Sequence, residues 1–266
     1  MNAKDLIKAA KLSEARSQLI EAVKSSPTDL RSRTLLFQVL AYSGEWGKAR
    51  RHLEIIASQD SSQEIGVQVY LNLVQAETDR LEVWQQKKRP SFLSDTPEYF
   101  ERYETAWQKL VEKNFEEARA LFKELDAQAP EIAGTLNGKT FIGFKDTDSR
   151  LPYFIEAFVH ELYVWLPLET LRELILPEPK TLFDLLWTSV QITTWEGLTL
   201  NCYLPVLYPE SFLHEDDQIK LGRMSDWLPL GGGFFKGIGQ RVFQVGEEEI
   251  GLLEIREAIF NPPGLE

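Results

Sequence analysis

Ala15 and Ala49 stand 34 residues apart, and each sits in the same frame of apolar positions. Leu40, Trp46, Ala49, Leu53 and Ile56 repeat, at that shift, Leu6, Leu12, Ala15, Leu19 and Ala22. The period is that of the tetratricopeptide, a helix–turn–helix unit that cannot bury its apolar face alone and must stack on neighbours. A small residue is needed where two helices cross, and large ones interlock with the next pair. Phe115, Ala118, Phe122 and Leu125 fit a further copy, closed by Pro130 as Pro27 closes the first. Ala118 lies 69 residues past Ala49, close to two periods, so a degenerate copy belongs between them.

Individual helices follow from this frame. In the first copy the second helix runs from about Ser13 to Ser25. The second copy is complete, with a stripe at Leu35, Leu36, Val39 and Leu40, a turn at Ser43-Gly44 and a helix from Trp46 to Ala57. In the third, Tyr70, Leu71 and Val74 keep the period, but Thr78 replaces the turn glycine and Val83 beside Trp84 replaces the small alanine. Its first helix therefore continues to about Gln86, and residues 87–97, with Pro90 and Pro97, form an extended connection. The fourth unit spans about Glu98 to Ala129. The first helices of such a stack line a concave side, where Arg31, Thr34, Gln38 and Ala41 are candidate partner-binding residues for a peptide or helix. The competing reading is that this face packs on the rest of the chain.

At 266 residues and 43% apolar content the chain can bury one large core or two ordinary ones, and two are expected. The expected division is a helical repeat domain over 1–130 and an α+β domain over 131–266, an α+β protein as a whole. A single cysteine excludes an internal disulfide, and no charged-then-apolar leader is visible, which points to the cytoplasm. Net charge is −12, and its distribution is uneven. Residues 1–130 hold 19 Lys and Arg against 20 Asp and Glu, a net of −1; residues 131–266 hold 10 against 21, a net of −11. Such a surface repels a phosphate backbone, so nucleic acid is not an expected partner; the densest apolar stretches, such as Leu162 to Leu168, fall far short of the roughly 20 residues that cross a bilayer, so a membrane is not expected either. It either steers a basic partner or simply keeps the protein soluble.

After Pro130 the helical stripes give way to short apolar runs. Phe141 to Phe144, Tyr153 to Phe158, Leu198 to Leu207, Val242 to Val245 and Gly251 to Ile255 read as strands, and Leu168 to Leu176 and Leu182 to Val190 as short helices. Trp165, Trp187, Trp195 and Trp227 read as core residues.

No catalytic constellation stands out. Gly231 to Gly233 with Gly237 and Gly239 lacks the Lys-Ser/Thr of a phosphate loop, and Val242 occupies the third glycine of a dinucleotide fingerprint. Asp146 and Asp148 have no third metal ligand at usable spacing, so neither a metal nor a cofactor is expected. Cys202, in an alternating strand context, suits a small buried hydrophobe. Arg223, Asp226 and Trp227, followed by Gln240 and Arg241, form either a buried ion pair that fixes a loop or a recognition patch. An alternative reading makes Asp146 and Asp148, with Arg223 or Arg241, the site of a hydrolase or transferase; another makes the chain an architectural subunit that dimerises through its repeats.

Several short segments, in order, carry a resemblance: Phe141 to Asp148, Tyr163 to Pro167 around Trp165, Asp184 to Trp187, Leu204 to Pro209, Leu221 to Trp227 and Gly237 to Arg241. Preceded by helical repeats, they resemble the ImpE/SciE family, also called TagJ, over essentially the whole chain. Ser225 departs from the family's usual threonine and keeps the hydroxyl. The resemblance implies a cytoplasmic accessory protein of the bacterial type VI secretion system without known catalysis. It also implies a partner, the N-terminal helix of the small sheath subunit, near the step where an AAA+ unfoldase recycles contracted sheath. Asp146, Asp148, Trp165, Asp184, Trp187, Arg223, Asp226, Trp227, Gln240 and Arg241 are then family-motif residues with structural or recognition roles.

Overall fold

The computed structural model describes residues 1–263. Seven helices come first: α1 (Ala3–Lys8), α2 (Leu12–Ser25), α3 (Leu30–Tyr42), α4 (Trp46–Gln59), α5 (Glu64–Trp84), α6 (Phe100–Val111) and α7 (Phe115–Gln128). Local chemistry sets their starts. The Asn2 side chain accepts from the Asp5 amide while Asp5 reaches back to the Asn2 amide, and Asp29 caps α3 through the Arg31 amide. The repeat alanines Ala15, Ala49 and Ala118 are fully buried at helix crossings, as the 34-residue frame requires.

The stack breaks between α5 and α6. Val83 and Trp84 stand where a small residue would let a second helix approach, and α5 packs instead on a strand, β5 (Leu162–Pro167). Trp84 inserts between Trp107 and Trp165, with ring centroids 5.3 and 6.2 Å away. The 87–97 connection crosses that strand, and the Trp165 amide donates to the Ser91 carbonyl at 2.9 Å.

The strand region adds β1 (Ala133–Leu136), β2 (Lys139–Ile142), β3 (Phe144–Asp146), β4 (Phe154–Val159), β6 (Leu171–Ile175), β7 (Trp187–Thr194) and β8 (Thr199–Pro205). After a short helix, α8 (Asp217–Lys220), come β9 (Ser225–Gly231), β10 (Phe234–Gly239), β11 (Val242–Val245), β12 (Glu248–Gly251) and β13 (Glu257–Phe260). An eight-stranded antiparallel sheet runs β2-β1-β13-β6-β7-β8-β4-β5, with smaller sheets β10-β9 and β12-β11-β3.

The structure departs from five sequence expectations. Leu168 to Leu176 is a single 3-10 turn followed by β6: a register shift between Leu171 and Glu173 turns both Leu171 and Leu174 inward, and this bulge mimics helical spacing. Leu182 to Val190 is a turn capped by the Asp184 carboxylate, then β7. Gly251 ends β12, and Leu252 to Glu254 is a 3-10 turn. Gly143, at φ +89°, splits Phe141 to Phe144 between two sheets. Trp195 is also not core; it sits 37% exposed in the β7–β8 turn.

Among the described residues one apolar cluster takes in side chains from helices and strands alike. Phe183 stacks on Tyr70 with centroids 4.1 Å apart and lies 5.4 Å from Phe37. The Tyr42 hydroxyl donates to the Leu182 carbonyl at 2.8 Å. The inner side of α3 and α5 is thus filled by residues 182–187.

Candidate functional site

A polar layer lies where α5 meets the sheet. Helical spacing places Glu77, Arg80 and Trp84 on one face of α5, and on β4 the alternation that buries Phe154 and Phe158 also buries Glu156. Arg80 donates through Nε to Glu156 Oε1 at 2.8 Å and through Nη2 to Oε2 at 2.9 Å, the paired geometry that guanidinium and carboxylate favour. Its Nη2 also reaches the Leu207 carbonyl at 2.8 Å. Trp84 Nε1 donates to the same Glu156 oxygen at 2.8 Å, as does the Tyr163 hydroxyl in a short bond. Trp187 Nε1 donates to Glu77 at 2.9 Å.

Arg241 extends the layer. It pairs closely with Glu156 and with Asp146, and its guanidinium lies over the Tyr208 ring at 5.0 Å. Asp146 also accepts from the Tyr208 hydroxyl at 2.9 Å and from the Asp148 amide at 2.8 Å. Asp148 takes Arg150 through Nε at 2.9 Å and Nη2 at 2.6 Å, together with the Gly237 amide at 3.0 Å. The Arg150 guanidinium covers the Trp84 ring at 4.3 Å, which closes the circuit.

Three guanidiniums thus face four carboxylates, all withdrawn from water. Burial pushes the Asp146 carboxyl up to about 6, against the opposing pull of Arg241. The same desolvation lowers Arg241, although Asp146 favours its charged form. Arg241 Nε has no partner among the described residues.

The motif residues divide into three groups. Asp146, Asp148, Trp165, Trp187 and Arg241 converge on this layer or its aromatic wall, with Trp165 Nε1 on the Tyr163 hydroxyl at 2.5 Å. Asp184 and Gln240 fix loops: Asp184 accepts from the Lys180 and Thr181 amides, and Gln240 donates to Gly222 and accepts from Leu253. Arg223, Asp226 and Trp227 do not form the ion pair that their spacing allows. Arg223 leaves for α1, where it donates to the Lys8 and Ile7 carbonyls at 2.7 and 2.9 Å. Asp226 is exposed, and Trp227 is half-buried with Nε1 on Thr147 at 2.9 Å. A catalytic grouping of Asp146 and Asp148 with Arg223 is therefore not assembled. A depression of about 420 Å³ over Thr147, Trp227 and Phe235 reaches Asp146, whose carboxylate is already held by Arg241 and Tyr208. No cluster of three metal-binding side chains occurs among the described residues.

Among the candidate partner-binding residues, Arg31 is exposed and Gln38 half-buried, and the Thr34 hydroxyl donates to the Leu30 carbonyl. Ala41 is 1% exposed, sealed beneath the second half of the chain. Sequence reasoning overlooked Glu77, Arg80, Arg150, Glu156, Tyr163 and Tyr208. One signal was available: Glu156 is a lone acid in an otherwise apolar strand run, and a lone buried acid requires a cation.

The helices and strands define a helical-repeat scaffold locked to an antiparallel sheet by a buried ionic layer. A family model described as ImpE protein matches residues 138–259. The type VI secretion system accessory component TagJ of Pseudomonas aeruginosa is 33% identical over 262 residues, which cover 98% of this chain and 92% of that protein. An X-ray crystal structure of protein VPA1032 from Vibrio parahaemolyticus has the same fold, with a TM-score of 0.88 over 97% of both chains at 22% identity. The chain belongs to the ImpE family, the family of TagJ.

Proposed function

We propose that this protein is a non-catalytic, cytoplasmic adaptor of the type VI secretion system that binds a sheath subunit, through the N-terminal helix of the small sheath protein. The observation that carries this reading is the full-length relationship to a protein named as an accessory component of that system. Two features support it. The buried acids and arginines hold one another rather than an open cleft, and no helix among the described residues is long and apolar enough to cross a membrane. Arg31, Thr34 and Gln38 are the contact residues we assign to the partner, whereas Ala41 is buried and is not among them.

Three or four aliphatic anchors on a partner helix contribute roughly 5–10 kcal/mol, against an association cost of about 4–15 kcal/mol. Micromolar affinity is the expected outcome. Calorimetric titration with a synthetic peptide of the sheath subunit's N-terminal helix tests it, at two ionic strengths and with the Arg31→Glu/Gln38→Glu variant. Saturable heat that is lost in the variant supports the reading, and absence of binding to the full-length protein overturns it. A dimer in light scattering whose interface covers Arg31 and Gln38 would favour an architectural role instead.

A further inference from the structure

An edge of the eight-stranded sheet and an edge of the three-stranded sheet leave a groove between them. β1 and β2 are joined by Asn137-Gly138, whose φ values of +49° and +81° make a two-residue turn of the I′ kind. In this register Leu136 and Lys139 are the hydrogen-bonded pair that closes the turn, and Gly134 with Phe141 is the next. Thr140 falls between these two pairs, and Ile142 between Phe141 and Gly143, whose amide bonds to Ile132, so the N–H and C=O groups of Thr140 and Ile142 point away from β1. β2 is the outermost strand of the eight-stranded sheet, and among the described residues no backbone group bonds to those of Thr140 or Ile142.

Across the groove stands β12, outermost in its own sheet, with the register that likewise turns the Glu249 backbone outward. The space between the two strands is about 720 Å³, and one side-chain ion pair, Lys139 Nζ to Glu248 at 3.9 Å, spans it. The Gly246 amide on the Gly143 carbonyl at 2.8 Å closes one end. Ile142, 66% exposed, offers an apolar patch on one wall. Glu247, Glu248 and Glu249 line the other, and among the described residues Glu247 and Glu249 have no cationic partner.

We propose that this groove binds an extended, lysine-rich segment of another protein as an added strand on β2. An unpaired edge strand is a template for a further strand: main-chain bonds supply affinity and alternate side chains supply specificity. Alternate residues of an added strand point to opposite faces, so lysines on one face meet Glu247 and Glu249 while apolar residues on the other meet Ile142. A second copy of this chain is disfavoured as occupant, because edge-to-edge pairing would bring two acidic walls together. The groove shares no residue with the surface assigned above to the sheath helix, so either assignment can fail alone.

The test uses the full-length protein and a fluorescein-labelled ten-residue peptide that alternates lysine and valine, read by anisotropy and by amide hydrogen exchange. Expected are saturable binding, slowed exchange at Thr140 and Ile142, and at least about tenfold weaker binding to Glu247→Lys/Glu249→Lys. The same peptide N-methylated at alternate residues keeps its charge but cannot bond along a strand edge, and it should fail to bind. Ile142→Pro, which removes one outward donor and leaves the β1 pairing intact, should weaken the unmethylated peptide in the same way. Equal binding of both peptides would reduce the interaction to diffuse charge and overturn the proposal. So would no saturable binding, or a β2-dependent dimer in light scattering.

Discussion

Arg80 in α5 and Glu156 in β4, 76 positions apart in sequence, meet through two hydrogen bonds of 2.8 and 2.9 Å. The bond is the point at which a helical repeat and a strand meander become one body. Several measurable consequences follow from it and its surroundings.

Glu156→Ala leaves two buried guanidiniums, Arg80 and Arg241, without their shared carboxylate. Breaking a buried ion pair from one side costs about 3–5 kcal/mol, whereas replacing both partners with apolar residues is often close to neutral. The expected result in urea denaturation is a larger loss for Glu156→Ala than for Arg80→Met/Glu156→Leu, which leaves one guanidinium short of Glu156 instead of two, with Asp146 still beside it. Equal losses would mean that the charges are not coupled.

The Asp146 carboxyl, raised from 3.8 to about 6, holds its proton more tightly when folded than when unfolded. Its contribution to stability is therefore complete below the unfolded value and fades as pH rises through about 6. The melting-temperature advantage of the wild type over Asp146→Asn should shrink between pH 4 and 7. A difference that stays constant across that window would show that the group titrates normally.

Gly237 lies against Tyr208, where an added Cβ would meet the ring at 2.3 Å, whereas around Gly66, exposed in α5, nothing lies within 4 Å. Gly237→Ala should destabilise by about 1–3 kcal/mol through overpacking. Gly66→Ala should stabilise by about 0.5–1 kcal/mol, the difference in helix preference. Thermal melts of the two variants check both signs.

Arg223 satisfies two carbonyls at the end of α1. Arg223→Ala should leave the rest of the fold intact and cost about 1 kcal/mol, with faster amide exchange confined to α1 and the start of α2.

The helical half was legible because a 34-residue period survives in the large and small positions themselves; α2 and α4 begin and end within two residues of where Ala15 and Ala49 place them. Even the irregular third unit declared itself, through Val83 and Trp84 where an alanine belongs. The strand half was read less well. A bulge beside Arg172 gave leucines a helical spacing, and nothing in Arg223-Met224-Ser225-Asp226 announces that the arginine turns back to the first helix. The ionic layer was hidden for a related reason. Its acids and bases come from four distant segments, so pairing by short spacing selected Arg223 with Asp226 and passed over Arg80 with Glu156.

The apolar interior that runs unbroken from Ala15 to Phe260 has a practical consequence. Cutting the chain near Pro130 would expose Phe37, Tyr70 and Trp84 on one fragment and Phe183, Trp165 and Trp187 on the other, so neither fragment is a fair bait for finding partners. The repeats and the sheet share that interior among the described residues. Truncation anywhere along that shared interior should therefore cost both halves their packing, not one.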